Sequence, residues 1–396
     1  MSTSEKSSAL RGLSDTASCG DEWAVLLECA SPSPNAQWFR ELASTADWSR
    51  LLVLAEEHGV LGHLSARLPE LDENIVSAEK RSALVELHRA QVFRTLGMTR
   101  ELFCLLDLFA AKDIEALVVK GPVLAIDAYG DPAIRSYGDL DLLVRQRDIR
   151  RSTEVFEAAG YEATVPLSAI DAGKIPGQYL FSRPDSRLLV ELHNDLTLRY
   201  FPRRLPIEEL FARQTRVRID GHDVPALSLE DELVYISVHG ATHFWERLGW
   251  IADVAALVTR QKDINWQAAT KTAELVGAER MLMIGLCLAS DLLYARLPAP
   301  VLAALERDAG AAKLAASVRG WLRGAGNTSP TLFERVAFRL RMRGNAFSAP
   351  AYLLRLSLSP TEEDWKGGAP ENRHGFFDAL SRPFRLARKY GRGNKS

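Results

Sequence analysis

The sequence predicts an α+β fold, a small mixed β-sheet core flanked by N-terminal and C-terminal helical regions. Three observations predict it. Apolar residues recur three and four apart through the first part of the chain, the spacing of a helix face. Between residues 113 and 226 the period changes to short, β-branched runs separated by turn residues. From Ser228 the helical period returns. With 396 residues, 47% of them hydrophobic, the chain is long enough for more than one domain and a large core. The expected division is a disordered segment over 1–20, a helical region over 21–112, the mixed core over 113–226, a helical domain over 227–326, and C-terminal helices with a basic tail over 327–396.

The elements follow in order. A polar, Ser-rich leader runs to Gly20, and "SPSPN" at Ser31 to Asn35 punctuates the next stretch. In "DWSRLLVLAEEHGV" the apolar residues Trp48, Leu51, Leu52 and Ala55 share a helix face, with Asp47 as N-cap. A second helix is expected from Ala78 to Ala111. "EALVVKG" reads as a buried strand, and Pro122 after Lys120-Gly121 suits the first turn of a helix, where its missing N–H leaves nothing unpaired. Lys120-Gly121 is therefore a strand-to-helix elbow. The loop "GDPAIRSYG" leads into the strand "DLDLLV", and "DIRRSTEVFEAAGY" reads as a helix closed by Gly160. "GQYLFS" and "RLLVELH" flank the turn cluster "RPDS", and Asp220-Gly221 suits a two-residue turn in "RVRIDGHDV", so two hairpins are expected. "SLED" at Ser228 fits a capping box opening the next helix.

Composition narrows the function. A net charge of -2 gives no global field for nucleic acid or membrane. Cys19, Cys29, Cys104 and Cys287 show no paired spacing, which argues against a disulfide framework or a zinc site. The first twenty residues hold no apolar signal core, and no apolar run is long enough for a membrane span. A cytoplasmic protein is the expectation. No G-x-x-x-x-G-K-[ST] loop and no G-x-S-x-G elbow occurs.

The chemistry centres on acids. Strand side chains alternate faces, so Asp139 and Asp141 share one face of "DLDLLV" while Leu140, Leu142 and Val144 share the other. Two carboxylates this close repel, and burying them unpaired is costly. A hard divalent cation such as Mg²⁺ relieves both problems. "RLLVELH" repeats the pattern, with Leu189, Glu191 and His193 on one face. If the two strands are neighbours, Asp139, Asp141 and Glu191 converge as metal ligands suited to phosphoryl or nucleotidyl transfer. Gly121 lets a phosphate approach the backbone, the following helix offers free N–H groups, and Lys120 adds a charge. Arg135, in the loop before the acids, is a further candidate for a triphosphate.

"VVKGPVLAIDAYGDPAIRSYGDLDLLV", then "VELH", then "LSLEDELVYISVHGATHFWERLGWIADVAALV" resembles the poorly characterised nucleotidyltransferase-like family of the DNA polymerase β superfamily. "DWSRLLVLAEEHGV", "SPTEEDW" and "LSRPFRLARKYG" also look like family features, and the resemblance spans about residues 40 to 392. It implies a minimal nucleotidyltransferase sheet over 113–226. It implies that Asp139 and Asp141 bind Mg²⁺ or Mn²⁺ and that Glu191 completes the triad. It implies attack by an acceptor hydroxyl on the α-phosphate of an NTP with loss of pyrophosphate. Lys120-Gly121 stands where the wider superfamily has Gly-Ser or Gly-Gly. On this reading Asp139, Asp141 and Glu191 are catalytic, and Lys120, Gly121, Arg135 and His193 bind the nucleotide.

Other features have plainer readings. His239 and His243 share a helix face and, with Asp253, make a metal set on paper, but packed histidines at a helix interface or cleft are the expectation. Trp245 and Trp250 are expected in the core. The tail carries Arg382, Arg385, Arg388, Lys389, Arg392 and Lys395 without an acid, a solvated terminus suited to an anionic partner. The acceptor class stays open among small molecule, peptide and RNA. A D-x-D glycosyltransferase using a nucleotide sugar, a non-catalytic binding module of the same fold, and a toxin-like enzyme modifying tRNA or protein are the rivals.

Overall fold

The computed structural model describes residues 20–167, 170, 177–184, 188–195, 206–322 and 330–343. The leader, the basic tail, "SPTEEDW" and "LSRPFRLARKYG" lie outside the described residues.

The N-terminal helices are α1 (Asp21–Ala30), α2 (Ala36–Thr45), α3 (Trp48–Glu57), α4 (Leu61–Arg67) and the long α5 (Ala78–Ala110). Asn35 caps α2 by accepting from the Trp38 N–H, and Asp47 caps α3 by accepting from Ser49 and Arg50. The core follows as β1 (Ala116–Val118), α6 (Pro122–Tyr129), β2 (Leu140–Val144), α7 (Ile149–Ala158), β3 (Glu162–Ala163), β4 (Gln178–Arg183), β5 (Leu188–His193), α8 (Ile207–Ala212), β6 (Thr215–Ile219) and β7 (His222–Ala226). Then come α9 (Leu229–Thr242), α10 (Leu248–Arg260), α11 (Trp266–Val276), α12 (Glu279–Leu293), α13 (Ala299–Arg307), α14 (Ala309–Leu322) and α15 (Leu332–Arg341). The α+β expectation holds.

The seven strands form one sheet in the order β3-β4-β5-β2-β1-β7-β6. Both expected hairpins are present, β4 with β5 and β6 with β7, each antiparallel. Asp220 and Gly221 both take positive φ, 45° and 84°, which matches the right-handed twist of the flanking strands. β2 pairs parallel with β5, and β1 parallel with β7. Parallel neighbours need a crossover connection, and α7 lies in the chain between β2 and β5. The short strand β3 carries no alternation the sequence reading could use; it exists because β4 offers it an edge.

The two faces of the sheet bury different partners. Ala116, Val118, Leu140, Leu142, Val144, Val190 and Leu192 join one core with Met98, Leu102, Leu105 and Phe109 of α5 and Phe156 of α7. Leu117, Val119 and Leu143 face the other way and join a core built from the N-terminal helices together with α9, α10 and α12. Asp141 is two residues from Leu143, so strand alternation aims it at this helical side.

Where α4 meets the core, close approach replaces a side chain. A Cβ on Gly62 would stand 2.3 Å from the Ile134 carbonyl oxygen, so only glycine lets α4 pack on that loop. His63, next to it, is buried edge-on against Tyr129 at 5.0 Å between ring centres, and neither ring nitrogen has a hydrogen-bond partner among the described residues. Burial pushes its pKa down to about 4. Between pH 4 and 6.5 the unfolded chain then binds this proton and the folded chain does not, so stability is lost as pH falls through that window. The expected loss from this ring is about 3 kcal/mol at pH 4 relative to pH 7. Asp127 works in the opposite sense, because burial raises its pKa to about 6 and the folded state gains stability as pH falls through that value. Comparing urea unfolding of the parent and His63→Leu at both pH values isolates the histidine. The variant should lose about 3 kcal/mol less on acidification, and an unchanged pH dependence would refute the assignment.

Candidate active site

The site is set by strand register. In the parallel pair, Asp141 lies directly opposite Glu191, and Leu143 opposite His193. Side chains at register partners stand on the same face, so Asp141 and Glu191 project side by side toward the helices. Asp139 sits just ahead of β2, at the open end of the same face. Asp141, Glu191 and His193 offer ligand atoms that all lie within 4.8 Å of one another. His193 Nε2 is 3.0 Å from Asp141 Oδ1 and 3.6 Å from Glu191 Oε2. Lys120 Nζ is 3.3 Å from Asp141 Oδ2 and 3.9 Å from Asp139 Oδ2. Gln178, on the antiparallel neighbour β4, donates its amide N–H to Glu191 Oε2.

Charge is tightly balanced here. Burial alone would raise the Asp141 carboxyl, but Lys120 and the hydrogen bond with His193 outweigh it and hold Asp141 well below the usual carboxylate range. Burial would lower His193, yet its bonds to Asp141 and Glu191 raise it to about 9. Lys120 is likewise raised, since Asp141, Asp139 and Glu191 overcome its desolvation. Asp139, with its side chain 32% exposed, is raised by partial burial and by Asp141 beside it. Asp141 Oδ2 is fully buried and has no aligned hydrogen-bond donor among the described residues, although the Lys120 ammonium is at ion-pair distance. A buried carboxylate oxygen held by an ion pair alone keeps lone pairs that a cation can take. The carboxylates suit a hard divalent cation, so the residues present fit Mg²⁺ or Mn²⁺; His193 and Lys120 are the positive groups that balance Asp141.

The elbow is built from glycine. Gly121 has φ 68° and ψ -124°, a conformation that side-chain-bearing residues avoid, and it forms the N-cap of α6 with Pro122 at the first helical position. Lys120 is thereby turned back over the end of β2, where the Val119 N–H also bonds the Asp141 carbonyl at 3.1 Å.

Arg135, in the field of Lys120 and Asp139, is engaged by a carboxylate on α10. Its Nε donates to both oxygens of Asp253 on α10, at 3.1 and 3.0 Å, and Tyr129 OH donates to the same carboxylate at 2.9 Å. Its Nη1 is buried without a hydrogen-bond partner among the described residues. The loop that carries it is pinned by Gln91, whose amide bonds the Ala133 carbonyl at 3.2 Å, and by Gly62 beneath it. Arg135 thus ties the loop before the acids to α10. Close by, Glu232 on α9 is fully buried, and burial together with Asp127 raises it well above the usual carboxyl range.

The wall facing the acids is one stripe of α9. Tyr235 feels Asp141, Glu191 and Asp139, His239 feels Lys120 and Asp141, and His243 at the end of the helix feels Lys120 and Glu191. These residues are four apart, the spacing of one helix face. His239 and His243 lie with ring centres 4.7 Å apart and planes tilted by 47°, and Trp250 lies 5.3 and 5.4 Å from them. Asp253 does not join these histidines, because Arg135 and Tyr129 take it; the close cluster of potential ligand residues among the described residues is Asp141, Glu191 and His193. Trp245 is fully buried, as expected, whereas Trp250 is only half-buried.

The structure therefore brings together Lys120, Asp139, Asp141, Glu191 and His193, with Gly121 shaping the elbow. Arg135 is joined to Asp253 beside this cluster. Sequence reasoning missed Gln178 and Tyr235. Tyr235 had a signal, its spacing of four from His239; Gln178 had none beyond membership of the strand facing "RLLVELH".

A profile of the family described as uncharacterised nucleotidyltransferase matches residues 44–294. No curated protein matches the chain. Among solved structures it is similar to the lincosamide antibiotic adenylyltransferase LnuA in its lincomycin-bound crystal structure, at 16% identity and a TM-score of 0.29, over 41% of this chain and 97% of that one. The profile match runs from α2 to the end of α12 and takes in the elbow, both acidic strands and the histidine-bearing helix, so this chain belongs to the family of uncharacterised nucleotidyltransferases.

Proposed function

We propose that the chain is a divalent-metal-dependent nucleotidyltransferase that moves NMP from an NTP to a hydroxyl or phosphate of an acceptor and releases pyrophosphate. The observation that carries this reading is the register of Asp141 against Glu191 on parallel strands, with Asp139 at the mouth and a buried Asp141 oxygen lacking a donor. Asp139, Asp141 and Glu191 would hold the ion. When bound, it supplies charge neutralisation for the triphosphate and for the developing negative charge at the α-phosphate.

The protein's own groups do the rest. Lys120, backed by the α6 N-terminus, orients the triphosphate through charge. An acceptor oxygen forms a bond to the α-phosphorus as the bond to the bridging oxygen breaks, and pyrophosphate leaves with that electron pair. The acceptor proton passes to Asp139 or Glu191, the two carboxylates with exposed side-chain surface. His193 stays on Asp141 and fixes its carboxylate plane, while Gln178 does the same for Glu191. Arg135 acts as a positioning residue: anchored on Asp253, it holds the loop that delivers Asp139. The helices on either side of the sheet form the acceptor cleft, and a small molecule, peptide or RNA remains the acceptor class.

One observation favours a second reading, a nucleotide-binding module without turnover: Asp141 already has His193 and Lys120 as counter-charges. Incubation with each α-labelled NTP, Mg²⁺ or Mn²⁺ and acceptor pools separates the two. Label on an acceptor with release of pyrophosphate supports the transferase. Tight metal-dependent NTP binding with no label transfer would replace it with the module.

A further inference from the structure

We propose that His239, His243 and Trp250 form the wall on which the nucleobase of the NTP stacks. The inference rests on the reading of Asp139, Asp141 and Glu191 as a nucleotide centre. Three observations carry it. The first is placement. His239 and His243 both lie in the field of the Lys120 ammonium, and His239 also feels Asp141 while His243 feels Glu191. Strand alternation aims Asp141 at the helical side that α9 and α10 help to build, and on this proposal a nucleotide whose phosphates rest on Lys120 lays its base against these rings.

The second is exposure. His243 is exposed and Trp250 half-buried, in contrast to Trp245, which is fully enclosed. The rings make a stepped surface, with Trp250 edge-on to His239 at 87° and tilted to His243 at 47°. The Arg247 guanidinium lies over the Trp250 ring, 5.8 Å from its centre, and adds a planar cationic group at the rim.

The third is the backbone. Phe244 and Trp245 are consecutive non-glycine residues with φ 57° and 52°. Such residues rarely adopt this region, and strained backbone concentrates at functional sites. The corner sends the Trp245 ring into the core against Gly240 and Gly285, where a Cβ would stand 2.4 and 3.0 Å from it. It then returns the chain so that Trp250 meets His239 and His243. Packing alone explains Trp245; it does not explain leaving three rings together at the open side of the acids.

The test compares Mg²⁺-dependent binding of the four NTPs and of inorganic tripolyphosphate to the full chain, to Trp250→Ala and to His243→Ala. Calorimetry gives the affinities, and tryptophan fluorescence reports on ring contact. The expected result is tighter binding of at least one NTP than of tripolyphosphate by the parent. Each variant should lose roughly 5- to 100-fold in NTP affinity. Tripolyphosphate affinity should be unchanged, which also shows that the variants are folded. His243 is exposed, so its variant keeps the test open if Trp250→Ala fails to fold. NTP affinity unaltered in a folded variant overturns the inference, as does equal loss for tripolyphosphate. A rise in acceptor KM at constant NTP affinity also overturns it by giving the wall to the acceptor. A parent that binds neither NTP nor tripolyphosphate removes the nucleotide reading itself.

Discussion

Asp141→Asn should lower NMP transfer by about 10²- to 10³-fold, the scale seen when one preorganised electrostatic contact to a developing charge is lost. The substitution keeps shape and removes charge. Asp141 is the group that Lys120, His193 and the register partner Glu191 all meet, so the loss is felt at the centre of the cluster. Asparagine also places an amide next to His193 Nε2 or Lys120, where a carboxylate oxygen stood. Transfer rates measured on parent and variant, with a thermal melt of each, separate chemistry from folding. A folded variant with transfer within a few-fold of the parent would mean that the reaction, if present, takes place elsewhere.

Arg135→Ala should destabilise the fold by about 3–5 kcal/mol, because it strands a buried carboxylate. Asp253 is 4% exposed and, among the described residues, keeps only the Tyr129 hydroxyl once the guanidinium is gone. Removing both partners tells a different story. Replacing a buried ion pair by apolar groups of similar volume is often neutral or stabilising, so Arg135→Met/Asp253→Leu should recover much of the loss. Urea unfolding of the parent, both single variants and the double variant closes this cycle. If Arg135→Ala is silent, Gln91 and Gly62 hold the loop without help and the pair has no structural role. If the double variant is stable yet transfer is lost, the guanidinium also acts on the nucleotide, through its Nη1.

Local chemistry made much of this site legible in the sequence. Alternation placed Asp139 and Asp141 on one face and Glu191 and His193 on another strand's face. Asp220-Gly221 announced its hairpin, Asp47 and Ser228 their helix starts, and Pro122 the elbow. Each signal acts over a few residues, and each survives folding because tertiary packing agrees with it. What stayed hidden involves partners far apart in the chain. Arg135 meets Asp253 118 positions away, and its loop position alone aimed it at a phosphate. Gln178 reaches Glu191 only because β4 pairs antiparallel with β5 and the amide leans along the strand. The convergence of β2 and β5 was a conditional in the sequence; the parallel register supplies the condition.

Nucleotidyl transfer at this site requires a cation between the acidic strands. Crystals of the full chain with Mn²⁺ and a non-hydrolysable NTP analogue, measured at the manganese absorption edge, test it most directly. Anomalous density is expected against the Asp141 and Glu191 carboxylates, with the triphosphate extending to Lys120, and no such density in Asp141→Asn. Nucleotide density elsewhere on the molecule, or manganese bound with Asp141 still joined only to His193 and Lys120, would contradict it.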